Sequence, residues 1–306
     1  MTPQTPQDPP PRRPFGSLLT AMVTPFTAEG QLDLDSAAEL AALLVDNGND
    51  GLVVCGTAGE ASTLEDREKE NLVRVIKETV GNRAIVVAGT GTNDTARSIE
   101  MATRAARAGA DGQLVVTPYY NKPTQTGVFN HFTSIAAATE LPVMLYDIPG
   151  RAGIAISTDT MKRLADNPQI VALKDAKADF SATTVVMADT DLAVYAGDDA
   201  LALPWLTAGA AGLISVSAHA APRPFRQLVD AVQDRNLFRA RQLHFELAPL
   251  VRAVMDHVPA AAAAKHILQR QGTLSSATVR PPLAEPTCRE SEDLAAELSG
   301  TGWALS

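Results

Sequence analysis

Short apolar runs alternate with amphipathic segments along the chain from Ser17 onward, at intervals of roughly 25–30 residues. The runs are rich in Val, Ile, Leu and Ala, and most are entered through Gly, Pro or Asp. Continuous apolar runs of this length are typical of parallel strands that are covered on both faces. We therefore predict eight strands: Leu18–Val23, Gly51–Cys55, Ala84–Ala88, Gly112–Thr117, Pro142–Tyr146, Ile170–Lys174, Leu192–Ala196 and Gly212–Val216.

Helical patterns fill the intervals between these runs. Asp35 is a plausible N-cap for a helix over Ser36–Asp46, and a second helix is expected over Arg67–Val80. A third covers Thr95–Ala108 and ends at Gly109, where the chain needs a left-handed turn. Eight strand–helix units favour an α/β fold of the (β/α)8 TIM-barrel type. An open doubly wound sheet is the alternative.

The barrel is expected to occupy residues 15–234, with its eighth helix over Pro222–Gln233. Residues 1–14 are rich in proline and have no apolar run, so we expect a disordered leader. Residues 235–306 form a helical extension for which we expect no role in the barrel, only packing on its flank or a subunit contact. Its predicted helices are Asn236–Val258, Ala260–Gln271 and one near Ser291–Leu298.

Charge and composition exclude several classes of protein. The chain has 26 basic and 35 acidic residues, a formal net charge of −9, which argues against binding to nucleic acid or to an anionic membrane. No stretch approaches the ~18–20 apolar residues that cross a bilayer. The two cysteines, Cys55 and Cys288, lie far apart and fit a reducing compartment. We predict a cytoplasmic protein.

The strongest chemical signal is Lys174, which ends the sixth apolar run. An ammonium group loses hydration there, and this loss favours the neutral amine that attacks a ketone. The iminium that results is an electron sink, so a neighbouring methyl carbon can lose a proton and become a nucleophile. The alternative is a lysine that extends to the rim or pairs with Asp175.

Other strand ends carry weaker signals. Tyr146 ends the fifth run and could transfer protons, or it could simply pack at the barrel mouth. The second run continues into Gly56–Glu60, where glycines allow backbone N–H groups to converge on a carboxylate, although a plain turn fits equally well. Thr117–Tyr120 brings an aromatic pair to the end of the fourth run.

Signals for cofactors and metals are absent from the pattern. Gly89-Thr90-Gly91 lacks the third glycine and the later acidic residue of a dinucleotide fingerprint. The five histidines have no ligand spacing, which disfavours a metal-dependent aldolase. We predict that the protein uses no cofactor and no metal.

The combination of motifs resembles the dihydrodipicolinate synthase family, also called the 4-hydroxy-tetrahydrodipicolinate synthases. This family belongs to the pyruvate lyases that include N-acetylneuraminate lyase. The match runs in order from about Gly16 to Ala220, and more loosely to about Pro286. The motifs that carry it are Gly56–Glu60, Thr117–Pro123, Leu145–Arg151, Lys174 and Gly197–Asp199.

The resemblance implies a role for each matching residue. Lys174 would form a Schiff base with pyruvate, and Tyr146 would donate and accept protons. Thr57 would link Tyr146 to Tyr120, which in the family crosses from a neighbouring subunit. The chain would then be a homotetramer, a dimer of dimers.

Three further residues would bind the substrates. Arg151 resembles the arginine that holds the carboxylate of L-aspartate 4-semialdehyde, a task suited to a guanidinium group. Ala58 would offer its backbone N–H to the pyruvate carboxylate, and the backbone at Ile214 would lie against pyruvate. The product leads to diaminopimelate and lysine.

The chain departs from the family pattern at two places. Ala58 stands where the family usually has a second threonine, so a hydroxyl donor is missing and we expect weakened pyruvate binding. Asp66, Lys69 and Arg97 stand where lysine-sensitive members tend to carry histidines and an acidic side chain. Two basic groups would repel the ammonium of lysine, so we predict little feedback inhibition.

The leading hypothesis is therefore a class I synthase that joins pyruvate to aspartate semialdehyde. Two alternatives are a related pyruvate aldolase or lyase that uses another aldehyde or a sugar acid, and a non-catalytic paralogue that binds a keto acid. Lys174 and Tyr146 would serve a related aldolase equally well. Retention of Thr57 and Tyr120 beside them speaks against a mere binder.

Overall fold

The computed structural model describes residues 12–303, so the predicted leader lies almost wholly outside the described residues. Within this range eight parallel strands form a closed barrel in chain order, and β8 pairs with β1. The closed barrel confirms the predicted TIM-barrel fold and excludes the open sheet. The strands are β1 (Leu18–Ala21), β2 (Gly51–Val54), β3 (Ile85–Gly89), β4 (Gly112–Val116), β5 (Val143–Asp147), β6 (Ile170–Asp175), β7 (Ala193–Ala196) and β8 (Gly212–Ser215).

Helices surround the barrel, and most predicted bounds are within three residues of the observed ones. The first helix begins earlier than expected, because Asp33 is its N-cap and accepts a hydrogen bond from the Ser36 N–H, so the assignment of Asp35 as N-cap was wrong. Gly109 has a φ of +89°, which confirms the left-handed turn expected there. The helices are α1 (Leu34–Asp46), α2 (Asp66–Val80), α3 (Thr95–Arg107), α4 (Gln125–Ala136), α5 (Pro149–Ala152), α6 (Thr158–Ala165), α7 (Phe180–Asp189), α8 (Ala202–Thr207), α9 (Pro222–Gln233), α10 (Leu237–Met255), α11 (Ala260–Arg270) and α12 (Cys288–Leu298).

Alternate residues of each strand point into the barrel, where they form an apolar cluster. Phe15 and Tyr195 close its lower end. The Tyr195 hydroxyl donates to the Gly16 carbonyl at 3.0 Å and accepts from the Phe15 N–H at 3.1 Å, and both rings are buried. The barrel is therefore a packed core below and open only above, at the carboxyl ends of the strands.

The C-terminal helices are part of the barrel assembly. α10 packs along α9, while α11 reaches the carboxyl end of the barrel. The expectation that these helices have no role in the barrel was wrong, because the first turn of α11 lines a cavity above Lys174. The division at residue 234 stays a prediction. Among the helices of the described range, none has the length and apolarity needed to span a bilayer.

Candidate active site

Lys174 and Tyr146 lie side by side at the carboxyl ends of β6 and β5. The strand register pairs them directly, so both side chains point into the barrel. The Nζ atom of Lys174 lies 4.4 Å from the centroid of the Tyr146 ring, and the lysine is only 5% exposed. Gly197 leaves room for the Lys174 side chain, because a Cβ at position 197 would lie 3.0 Å from the Lys174 Cγ.

Asp175 points away from Lys174, toward the helices outside the barrel. Its carboxylate accepts from the Thr183 hydroxyl at 2.5 Å and from the N–H groups of Lys177 and Ala178 at 3.1 and 3.2 Å. The alternative in which Lys174 extends to the rim or pairs with Asp175 is therefore not what the structure has. The amine faces the barrel mouth.

Asp147 plays a similar part beyond Tyr146. It is buried, its Oδ1 accepts from the Ile156 N–H at 3.1 Å, and its Oδ2 lies 3.5 Å from the Lys177 Nζ. Burial raises the pKa of its carboxyl to about 6, although the Ile156 N–H and the Lys177 ammonium oppose the shift. These outward carboxylates fix the backbone just past the two inward side chains.

The loop after β2 carries Thr57 and Ala58 to the rim of the same space. Its tight path begins at Cys55, whose φ is +57°, and requires glycine at position 89, where a Cβ would lie 2.2 Å from the Cys55 carbonyl oxygen. Thr57 is exposed, whereas Ala58 is buried and lines the cavity that contains Lys174. The predicted carboxylate-binding loop thus lies opposite the amine.

Two cavities meet above the barrel. The inner one has a volume of about 230 Å³ and is lined by Lys174 and Ala58. The outer one, of about 490 Å³, extends past Lys69 and Tyr120. Both are bordered by the side chains at their junction, which are Thr57, Ser62, Leu114, Tyr146, Ile148 and Arg151. A small keto acid beside Lys174 would therefore be contiguous with a second substrate near Arg151.

Arg151 lies in the short helix α5, directly after β5, and its side chain is exposed. The sequence Pro149-Gly150 starts this helix, and Gly153 ends it with a φ of +79°. A guanidinium at the cavity junction is suited to a carboxylate that enters from the outer side.

Tyr120 lies at the outer edge of the larger cavity. Its side chain is 88% exposed, and its φ of +72° is unusual for an aromatic residue. Its N–H donates to the Ala152 carbonyl at 3.3 Å, and the Asn121 amide donates to the Asn93 carbonyl at 2.9 Å, so neighbouring segments hold the loop. Within residues 12–303, no hydrogen bond joins the hydroxyls of Tyr120, Thr57 and Tyr146.

Ile214 is expected to place its backbone, not its side chain, against pyruvate, and this stays a prediction. That side chain belongs to the buried interior cluster, and Val216 lines the inner cavity instead. The buried carboxylate of Asp199 accepts from the N–H groups of Val216 and Ser217 at 3.1 and 2.8 Å. Burial raises the pKa of Asp199, against these hydrogen bonds. This contact fixes the turn after β8.

Sequence reasoning missed the upper wall of the inner cavity. Pro259, Ala260 and Ala261 line it from the start of α11, and Pro282 and Leu283 line it from the segment that follows. In the sequence this wall corresponds in part to an alanine-rich stretch that ends at Lys265. That lysine is completely buried.

The described residues contain no group of three or more His, Cys, Asp or Glu side chains arranged to hold a metal ion. The two histidines that are deeply buried are bonded to protein groups: His131 to the Thr95 hydroxyl and His219 to the Val216 carbonyl. The prediction that no metal or cofactor is used stays a prediction.

The chain is similar to known proteins over nearly its whole length. Residues 14–300 match the Dihydrodipicolinate synthetase family. The 4-hydroxy-tetrahydrodipicolinate synthase of Kineococcus radiotolerans is 52% identical over 294 residues, which cover 96% of each protein.

Solved structures agree with the sequence match. A dihydrodipicolinate synthase from Bacillus anthracis superposes with a TM-score of 0.90 at 40% identity, covering 94% of this chain and 98% of the other. A dihydrodipicolinate synthase from Acinetobacter baumannii, solved in complex with pyruvate, gives a TM-score of 0.88 at 36% identity, covering 93% and 97%.

Proposed function

Because the chain belongs to the dihydrodipicolinate synthetase family, we propose that it condenses pyruvate with L-aspartate 4-semialdehyde through a Schiff base on Lys174. Its function is that of a 4-hydroxy-tetrahydrodipicolinate synthase, a lyase of the diaminopimelate and lysine biosynthetic route. The observation that carries the assignment of Lys174 is its buried amine at the inner end of the cavity, beside Tyr146.

The reaction begins when the Lys174 Nζ adds to the ketone carbon of pyruvate. Loss of water from the carbinolamine leaves an iminium, and the adjacent methyl carbon then loses a proton to give an enamine. The enamine carbon forms a bond to the aldehyde carbon, and the aldehyde oxygen takes up a proton. Attack of the substrate's own amine on the iminium carbon closes the ring and releases Lys174.

Tyr146 is the proton donor and acceptor in this scheme, since its ring lies 4.4 Å from the Lys174 Nζ and it borders the cavity that contains this amine. The backbone N–H of Ala58 binds the pyruvate carboxylate, and the hydroxyl of Thr57 links Tyr146 to the tyrosine at position 120 of a neighbouring chain. Arg151 binds the carboxylate of the aldehyde substrate at the junction of the two cavities. The backbone at Ile214 lies against pyruvate.

We further propose that the protein is a homotetramer in which two chains form a dimer, and each chain contributes its tyrosine at position 120 to the site of the other. The support is the exposed ring of Tyr120, which makes no hydrogen bond to Tyr146 or Thr57 in its own chain. The partners are small molecules, with no nucleic acid and no membrane. We place the protein in the cytoplasm, in keeping with its free cysteines Cys55 and Cys288.

Borohydride reduction in the presence of pyruvate tests the assignment. We expect a stable adduct on the peptide that contains Lys174, and none in Lys174→Met. An assay with purified aspartate semialdehyde then separates the synthase from a related aldolase. Turnover of a sugar acid without turnover of the semialdehyde would overturn the proposed substrate. Absence of any adduct would overturn the assignment of the chain as a Schiff-base enzyme.

A further inference from the structure

A fully buried ion pair lies beside the site and has no part in the chemistry described above. The Lys265 Nζ donates to the Glu60 Oε1 at 2.5 Å, and the two side chains are 0% and 1% exposed. Lysine and glutamate are almost never buried so completely unless they are paired. A well-packed apolar pair of similar volume would often be as stable, so stability alone is a weak reason for this pair.

Glu60 lies in the same loop as Thr57 and Ala58, between β2 and α2. Its backbone has a φ of +55°, and its N–H donates to the Thr57 carbonyl at 3.1 Å. The preceding carbonyl, of Gly59, accepts from the Thr24 hydroxyl at 2.6 Å. The position of the Glu60 carboxylate is therefore transmitted to Thr57 through a short, tightly bonded turn.

Lys265 belongs to the opposite wall. It lies in α11, whose first residues line the inner cavity, and it also donates to the Thr278 carbonyl at 2.8 Å. The second oxygen of Glu60 accepts from the Arg280 N–H at 2.8 Å, just before Pro282 and Leu283 line the same cavity. One carboxylate thus joins the loop to both segments of the upper wall.

A second ion pair lies next to the pair of Lys265 and Glu60. The Arg280 guanidinium forms a two-point ion pair with Glu68 at 2.7 and 2.6 Å. The buried ring of Phe26 contacts both cations, with its centroid 4.1 Å from the Lys265 Nζ and 4.3 Å from the Arg280 Cζ. Two carboxylates and two cations therefore form one closed cluster between the loop and the C-terminal segment.

We propose that Glu60 and Lys265 are positioning residues for the capture of pyruvate, because their ion pair holds Thr57 and Ala58 at a fixed distance from Lys174 and fixes the upper wall of the inner cavity. The proposal rests on the function proposed above. It assigns the pair to binding of the keto acid and formation of the imine.

The test uses full-length Glu60→Gln, Lys265→Met and the double variant E60Q/K265M. For each we measure the pyruvate concentration that gives half-maximal borohydride trapping, the KM for both substrates, kcat and the melting temperature. Small displacements of a binding group have large effects, so we expect half-saturation to rise roughly 10- to 100-fold in all three. The KM for the semialdehyde should change far less.

The double variant separates positioning from stability. It contains no unpaired buried charge, so we expect its melting temperature to recover toward the natural value while its pyruvate half-saturation stays high. A double variant that binds pyruvate as the natural protein does would overturn the proposal. If the variants that remove these charges do not fold, Glu60→Asp provides the same test. It keeps the carboxylate charge and shortens the side chain by one methylene group.

Lys77→Met is the matched control. Lys77 pairs with Asp111 at 2.8 Å, near the opposite end of the barrel, and the substitution is the same as in Lys265→Met. We expect a lower melting temperature with unchanged pyruvate half-saturation, and a rise equal to that of Lys265→Met would overturn the proposal. Failure of the proposed function looks different, because the natural protein itself would then form no adduct.

Discussion

The amine of Lys174 lies over the ring of Tyr146, with 4.4 Å between the Nζ atom and the ring centroid. The two residues are partners in the register of β5 and β6. The ring can stabilise a cation at this position, while the hydroxyl is available for proton transfer. One side chain thus has two separable contributions.

Tyr146→Phe is expected to separate the contribution of the Tyr146 ring from that of its hydroxyl. The ring stays in place beside Lys174, so the pyruvate adduct should still be trapped by borohydride. Loss of the proton-transferring hydroxyl should lower kcat about 10²- to 10⁴-fold. Steady-state kinetics and trapping on the same preparation check this, and Tyr146→Leu, which lacks the ring as well, is the control. A kcat close to that of the natural protein would remove Tyr146 from the mechanism.

Ala58→Thr is expected to tighten pyruvate binding. Ala58 is buried against the inner cavity, and a hydroxyl there would supply one more donor to a carboxylate. A hydrogen bond to a charged group contributes about 1.5–3 kcal/mol, so the KM for pyruvate should fall roughly tenfold or more. Ala58→Val has nearly the same shape without the hydroxyl and should not show this gain. Equal KM values in the natural protein and Ala58→Thr would contradict the prediction.

Mixed oligomers test whether Tyr120 works in the partner's site. Tyr120→Phe and Lys174→Ala should each have little activity alone. In a mixed dimer, one site combines an intact Lys174 with an intact Tyr120 from the other chain, so partial activity should return. Assays of co-expressed, separately tagged chains check this. Proven mixed dimers without recovered activity would place Tyr120 in its own chain's site.

Feedback inhibition by lysine should be weak. Arg97 forms an ion pair with Asp66 and a second one with Glu100 at 2.7 Å, so the nearest acidic groups are already paired with a cation. Lys69 adds another positive charge to the outer cavity. Initial rates across a lysine titration should show no half-inhibition below millimolar concentration, and Arg97→Glu should increase any inhibition.

Acid should destabilise the fold through His219. Its Nε2 accepts from the Val23 N–H at 3.0 Å and its Nδ1 bonds the Val216 carbonyl at 2.7 Å, and burial lowers its pKa from 6.5 to about 4. The unfolded chain takes up a proton near pH 6.5, whereas the folded chain does so only near pH 4. The free energy of unfolding should therefore fall as the pH drops through this window, by about 3 kcal/mol from this residue.

His219→Gln provides the comparison. A carboxamide can accept from Val23 and donate to Val216 without taking up a proton. Urea unfolding at pH 7 and pH 4 should show a smaller loss of stability in the variant than in the natural protein. Asp147, whose raised pKa acts in the opposite direction, is present in both chains and cancels. Parallel losses in the two proteins would refute the role of His219.

The sequence pattern was sufficient to predict the barrel and the two side chains at its mouth, those of Lys174 and Tyr146. Apolar runs mark strands because both faces of a parallel sheet are covered, and a lysine that ends such a run stands out against them. Lys174 and Tyr146 were therefore identifiable, and the structure brings them together. Their neighbour on the loop, Ala58, was placed only through the resemblance to a family.

Contacts between distant segments were not predictable in the same way. Lys265 and Glu60 are separated by 205 positions, and nothing local in an alanine-rich helix indicates that its lysine is buried. The N-cap error at Asp35 has a local cause, because Asp33 and Asp35 are both suitable caps and only the backbone path selects between them. The exposure of Tyr120 likewise depends on the loop's conformation.

The plug that Phe15 and Tyr195 form at the lower end of the barrel leaves Lys174 at the bottom of a blind passage. Arg151 lies farther out, at the junction of the two cavities. A molecule held at Arg151 would narrow the way to the amine from the outer cavity, so we expect the keto acid to bind first and the aldehyde second. The water lost on imine formation should then leave before the second molecule binds.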